Sequence, residues 1–324
     1  MNGKPVVTVP AKSVINFDSG FRHKLLCDGP TFSTGSACAY SCAFCYVPDL
    51  MRKNPHAQHL PAAFEKTVIL RGGAIAAMER QLLSAEGRRL STQHLTAYAS
   101  PLVDVAANMD LVHETIQACK LILDKTKWDI RLLSKSNLLP KVADGLLTGW
   151  AGHRVGGMPE LKRRMIFGVS TGTFNEGLAR AFEVGTPLVS KRLASLHWLQ
   201  DHGYRTFGML CPSIPQHDYK AFSEQAAAAI RADLCEHVWA EVMNIRGESF
   251  TRTIQALTAA GFTDEATGLE AVGRDKVAWE DYSRATFEAH AAALPPGKLR
   301  FLQYVTAASK PWWASNVNRG AVLL

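Results

Sequence analysis

Cys38, Cys42 and Cys45 stand in the segment CAYSCAFC, with three residues between the first pair and two between the second. Three thiolates this close can ligate three irons of a [4Fe-4S] cluster and leave the fourth iron open to a substrate or cofactor. Zinc is the alternative. It would want a fourth protein ligand, for which His56 or His59 stands nearby. Structural zinc sites favour paired CxxC…CxxC arrangements, and no second pair is present, so the spacing favours the cluster. Cys27, Cys119, Cys211 and Cys235 are isolated in the sequence and are expected to pack as small buried hydrophobes, with no second cluster.

Such a loop needs a scaffold. From about residue 94, short apolar runs alternate with amphipathic stretches, as repeated strand-helix units do. Strands are expected at HLTAYAS (94–100), DIRLLSK (129–135), RMIFGVS (164–170), RTFGMLC (205–211) and LCEHVWAE (234–241). Val112, Ile116, Cys119 and Leu123 form one helical stripe, and Val189, Leu193, Leu196 and Leu199 another, as helices packed on a parallel sheet would. With a first strand ending near residue 35, about six units are complete by residue 245. The expected fold is therefore α/β, an incomplete (β/α)6 barrel of the TIM type with a mainly helical C-terminal addition. Residues 1–28 read as an N-terminal extension, 29–245 as the barrel, and 246–324 as a region packed on it. That last region holds an Ala-rich helical stretch from Thr263 to Leu294, a turn at Pro295–Gly297 and the tail LRFLQYVTAASKPWWASN.

Composition sets the outer bounds. The 324 residues are 47% apolar and 20% charged, enough for a sizeable core and incompatible with a disordered or collagen-like chain. Seven cysteines are too sparse for a disulfide scaffold. The start MNGKPVVTVP lacks a basic segment followed by an apolar one, so the expected location is the cytoplasm. The uncharged stretch Gly29–Pro48 is too rich in Ser, Thr, Gly and Pro to span a membrane. A net charge of +7 permits an anionic partner without demanding one.

CxxxCxxC with Phe44 before the last cysteine and Tyr46 after it, in a loop following a first strand, resembles the radical S-adenosylmethionine enzymes. Three further segments resemble spore photoproduct lyase and its relatives: RLLSKSN around Lys135, the strand ending at Ser170 followed by EVGTPLVSKR (Glu183 to Arg192), and GMLCPSIP. With the cysteine loop they fall in order over about residues 30 to 220. The resemblance implies a [4Fe-4S] cluster whose open iron is chelated by S-adenosyl-L-methionine. An electron then cleaves the sulfonium to a 5′-deoxyadenosyl radical, which takes a hydrogen atom from the substrate. It further implies that Lys135 and Ser170 contact the cofactor's carboxylate or ribose, and that Tyr46 lies by the adenine. Glu183 and Arg192 are cofactor-side candidates that can equally cap the following helix and pair with each other. An electron donor such as flavodoxin or ferredoxin is implied as well.

One departure stands out. The family carries a cysteine shortly before an Asp-Pro pair after the second strand, and this cysteine returns hydrogen to the product radical. Here the segment is AYASPLVDVAAN, where Asp104 matches the aspartate but no cysteine is present. Tyr98 is the candidate substitute donor, against the alternative that it is core; without a donor, hydrogen returned from 5′-deoxyadenosine would make the enzyme an isomerase. The resemblance points to a thymine-type base in DNA as substrate. Arg22 with Lys24, Arg88 with Arg89, and Lys162 to Arg164 are candidate phosphate contacts, and Trp312 and Trp313 either stack on an extruded base or close the fold. A small molecule or peptide substrate, and a non-catalytic iron-sulfur or zinc module, are the alternatives.

Overall fold

The computed structural model describes residues 5–52, 68–99, 101–150, 157–245 and 247–324. Among these, the principal element is a nine-stranded sheet. Its strands in chain order are β1 (Ile15–Asn16), β2 (Thr31–Phe32), β3 (Thr96–Ala99), β4 (Asp129–Ser134), β5 (Met165–Thr171), β6 (Arg205–Ser213), β7 (Cys235–Val242), β8 (Leu299–Gln303) and β9 (Ala321–Leu323). Their order in space is their order in the chain. All neighbours are parallel except β1 and β2. Crossovers in a parallel sheet are right-handed, so a sheet wound in one direction places its helices on one face and leaves the other for different cover.

The expected strands from residue 94 onward are all present, with ends displaced by no more than two residues. The sequence reading did not include β8 and β9, which continue the sheet into the C-terminal region. Five and three residues long, they offer too little alternation to stand out beside the Ala-rich helices.

The helices include α1 (Met109–Lys125), α2 (Leu139–Trp150), α3 (Gly157–Arg164), α4 (Glu176–Phe182), α5 (Val189–Asp201), α6 (Tyr219–Ala229), α7 (Glu248–Ala259), α8 (Thr263–Gly273) and α9 (Lys276–Ala293). Several begin on a side-chain cap: Asn108, Asn175 and Asp275 accept N–H groups at the starts of α1, α4 and α9. The two stripes face the sheet. Val112, Cys119, Leu123, Leu196 and Leu199 are buried against Ile130, Leu132, Phe167 and Val169, with Ile116 and Leu193 partly buried beside them.

Strand side chains alternate between faces, so the next residues along point the other way. Tyr98, Ile166, Phe207, Met209 and Trp239 form a second core there with Leu26 and Cys27 of the N-terminal segment. That segment is tied down by hydrogen bonds from the Trp239 indole to the Lys24 carbonyl (2.9 Å) and from Arg131 to the Leu26 carbonyl (2.6 Å). A smaller three-stranded sheet joins Val6–Pro10, Val68–Gly72 and Gly35–Ala37. The cysteine segment leaves from its strand Gly35–Ala37. No helix among the described residues is long and apolar enough to cross a membrane.

Candidate active site

The alternation that separates the two cores also aligns the site. Lys135 just after β4, Ser170 in β5, Cys211 in β6 and Glu241 in β7 lie an even number of residues beyond the second-face positions of their strands, at the C-terminal ends. In a parallel sheet those ends are where chemistry collects.

The cysteine loop is clipped to this rim. Ser41–Cys42 pairs antiparallel with Glu183–Val184, Cys42 opposite Glu183, and the Ala43 N–H donates to the Phe182 carbonyl (2.8 Å). The Phe44 ring packs edge-on against Phe182, 5.6 Å between centroids, and Ala43 and Phe44 join a third apolar cluster with α4, α7 and α8. Cys38, Cys42 and Cys45, all half-buried, line a cavity of about 290 Å³ together with Tyr40, Arg252 and Gln255.

Burial pushes all three thiols up. Cys38 rises to about 12, with neighbouring Cys45 and Asp104 adding to the rise and the N–H groups of Tyr40 and Asp104 opposing it. Cys42 is raised further by Glu183 despite Lys135, and Cys45 is raised despite the Val47 N–H and Arg252. Three cysteines on the wall of one cavity are a soft donor set of the kind a metal centre uses once the thiols are ionised. Among the described residues, no three His, Cys, Asp or Glu side chains converge on one point as a single ion requires. His56 and His59 lie outside the described residues.

Four of the five cofactor-side candidates, Lys135, Ser170, Glu183 and Arg192, form one network. Lys135 Nζ donates to Glu183 Oε1 (2.7 Å), to the Ser170 hydroxyl (3.0 Å) and to the Cys211 carbonyl (3.3 Å), and lies 5.1 Å from the centre of the Phe44 ring. Arg192 pairs with the other Glu183 oxygen at 2.5 Å, and both side chains are fully buried. Arg192 also donates to the carbonyls of Pro187 (2.8 Å) and Ser170 (3.3 Å) and to the Thr186 hydroxyl (2.5 Å), fixing the turn whose Gly185 has φ +84°. The expected Glu183–Arg192 pair is therefore present, and Glu183 reaches Lys135 as well.

Asp104 sits beneath this network. Its carboxylate accepts from the Ser134 hydroxyl (2.7 Å), the Lys135 backbone N–H (2.7 Å) and the Ala106 N–H (2.9 Å), which fixes the exit of β4. Tyr98 is 4% exposed and stacked on Phe21 at 5.4 Å, with its phenol raised by burial. Tyr46 is 45% exposed and donates its hydroxyl to the Pro101 carbonyl (2.5 Å).

Other expectations need correction. Arg164 is no phosphate contact: it is buried, and its guanidinium donates to the carbonyls of Leu123, Thr126 and Trp128 around the end of α1. Arg163 pairs with Glu160 and Lys162 donates to the His202 carbonyl. Lys24 pairs with Glu241 (3.2 Å) and Arg22 with Asp18 (2.6 Å), while Arg88 and Arg89 remain exposed. Trp313 is fully buried, stacked on Phe301, and Trp312 packs edge-on to Phe287, so the tandem tryptophans close the fold. Cys211 is half-buried at the edge of the second core, against which it packs; its sulfur lies 4.0 Å from Glu241, and burial with that carboxylate pushes its thiol up to about 12. Arg252 belongs to the site without any local sequence signal, because its partners are about 200 residues earlier in the chain.

No protein-family model and no curated protein matches the chain. Solved structures do. Spore photoproduct lyase carrying a tyrosine-to-phenylalanine substitution superposes with a TM-score of 0.60 at 14% identity, covering 93% of this chain and 82% of that one. Spore photoproduct lyase complexed with dinucleoside spore photoproduct gives a TM-score of 0.53 at 14% identity, over 78% of this chain and 66% of the other. A doubly substituted form with bound AdoMet and dinucleoside spore photoproduct gives 0.51 over the same shares. The chain shares the fold of spore photoproduct lyase.

Proposed function

We propose that the chain is a radical S-adenosylmethionine enzyme acting on a nucleobase-type substrate, with its sheet curved as a partial (β/α)6 barrel. The observation that carries this is the physical continuity of the site. Cys42 pairs with Glu183, Glu183 holds Lys135, and Lys135 meets Ser170, so the thiols and the polar groups fit for the cofactor occupy one rim. Cys38, Cys42 and Cys45 would hold a [4Fe-4S] cluster, and Lys135, Ser170 and Tyr46 would line the S-adenosylmethionine site. Bound together, the two groups supply a 5′-deoxyadenosyl radical.

The chain's own residues bind and orient. The Lys135 ammonium suits a carboxylate, and the Ser170 hydroxyl a ribose oxygen. Glu183 and Arg192 hold Lys135 in place and Asp104 fixes its backbone. The apolar second face below excludes water from the rim. Tyr98, packed in that face, reads as core rather than as a hydrogen donor.

Substrate class rests on the neighbours, whose structures hold a dinucleoside photoproduct, and on the net charge. With no cysteine in AYASPLVDVAAN, an isomerase that returns the same hydrogen is favoured over a lyase. A flavodoxin- or ferredoxin-type electron donor and a cytoplasmic location belong to the same proposal. Anaerobic reconstitution with iron and sulfide, then dithionite and S-adenosylmethionine, is expected to yield a loaded cluster and 5′-deoxyadenosine. Iron far below cluster stoichiometry with no 5′-deoxyadenosine sinks the proposal. Retention on a DNA column that weakens with salt is expected for the DNA substrate, and salt-independent or absent retention turns the choice to a small molecule or peptide.

A further inference from the structure

A loop such as Cys38–Cys45 has little regular structure to fix it, and ordering each of its residues costs backbone entropy that contacts must offset. The β-pairing at Ser41–Cys42 fixes its near half. The far half is held by α7, the helix that follows β7. Arg252 Nε donates to the Ala43 carbonyl (3.2 Å) and Nη2 to the Cys45 carbonyl (2.7 Å). Ala43 is thus gripped on both sides, its N–H by Phe182 and its C=O by Arg252. Arg252 Nη1 lies 3.5 Å from Asp49, whose side chain is 25% exposed and offsets part of the charge, and 3.6 Å from Glu248, 64% exposed and so well screened. The Arg252 side chain is only 20% exposed, and it lines the cavity of the three cysteines together with Gln255 and Ala256, one turn on.

We infer that Arg252 is a positioning residue for the cluster loop, and that its fixed charge raises the reduction potential of the group the three cysteines hold. The planar fork matches two carbonyls on one side of the loop, which a lysine cannot reproduce. Reduction adds negative charge to a cluster, and a fixed cation at hydrogen-bonding distance from the ligand backbone favours the reduced state. This rests on the cysteine site being a cluster site. It goes beyond that assignment by giving the C-terminal region a part in the redox chemistry.

The test uses the full-length, reconstituted protein, its Arg252→Met and its Arg252→Lys. Iron content, iron loss to a chelator and an EPR-monitored redox titration are the readouts. Arg252→Met is expected to lose iron several-fold faster and to shift its midpoint negative, so that the reduced fraction at a fixed potential falls by up to about tenfold, which is about 59 mV for one electron. Arg252→Lys is expected to keep a midpoint near that of the unaltered protein while losing iron faster, because it keeps the charge and loses the fork. Unaltered midpoint and iron retention in Arg252→Met overturn the inference. If Arg252→Met does not fold, retention equal to the unaltered protein in Arg252→Lys overturns it. Failure of the unaltered protein itself to take up iron removes the cluster assignment and the inference with it.

Discussion

Glu183 neutralises two cations at once, Lys135 at 2.7 Å and Arg192 at 2.5 Å, in a place where neither carboxylate oxygen meets solvent. Replacing it with glutamine keeps the shape and removes the charge, leaving Arg192 buried without its counter-ion. Glu183→Gln is expected to destabilise the fold by about 3–5 kcal/mol, read from urea unfolding. Asp104→Asn tests the layer beneath. Three donors now converge on two carboxylate oxygens, and an amide nitrogen must face at least one of them. A loss of about 1–3 kcal/mol is expected, with weaker S-adenosylmethionine binding in equilibrium dialysis because the Lys135 backbone is released. An unchanged affinity would mean that Asp104 serves the fold alone. At this scale the sequence was legible where function compresses residues into a short spacing, as at Cys38, Cys42 and Cys45. Arg252 was illegible because its meaning lies in carbonyls 207 and 209 residues away.

The elements carry their own pH dependence. His290 of α9 is fully buried beside Phe222 and Phe301, and among the described residues neither ring nitrogen has a hydrogen-bond partner. Burial lowers its imidazole from the ordinary value near 6.5 to about 4. The unfolded chain then binds the extra proton between those values, so stability falls as pH drops below about 6.5 and levels off below about 4. The loss across that window is about 3 kcal/mol, at about 1.4 kcal/mol per pH step. His290→Phe is expected to flatten the dependence of the urea midpoint on pH between 6.5 and 4, and a slope equal to that of the unaltered protein refutes the assignment. The strands and stripes were legible because alternation and helical spacing follow from burial itself. β8 and β9 were not, because a five-residue and a three-residue strand gain their stability from the sheet edge they cover rather than from their own pattern.

For the whole molecule, the C-terminal region is part of the sheet as well as a cover for it. β8 pairs with β7, β9 with β8, and Trp313 stacks on Phe301 of β8 with its indole bonded to Glu280 of α9. Trp313→Ala is expected to cost about 3–5 kcal/mol in urea unfolding. A chain ending at Val242 is expected to lack a cooperative thermal transition by circular dichroism, because the β7 edge is then bare. A folded fragment would show that the region only decorates the sheet.

The N-terminal segment has a further consequence, for how the protein is made. Lys24 is held by Trp239 and Glu241, 215 and 217 residues later, and the cysteine loop by α7. On the ribosome, the earliest segments therefore emerge long before their binding partners exist, and the apolar residues Leu26, Phe44 and Tyr98 must wait uncovered. Contacts so distant in sequence make folding slow and the nascent chain prone to aggregation. Production yield is expected to depend on elongation rate, temperature and chaperone supply more than on the stability of the finished protein.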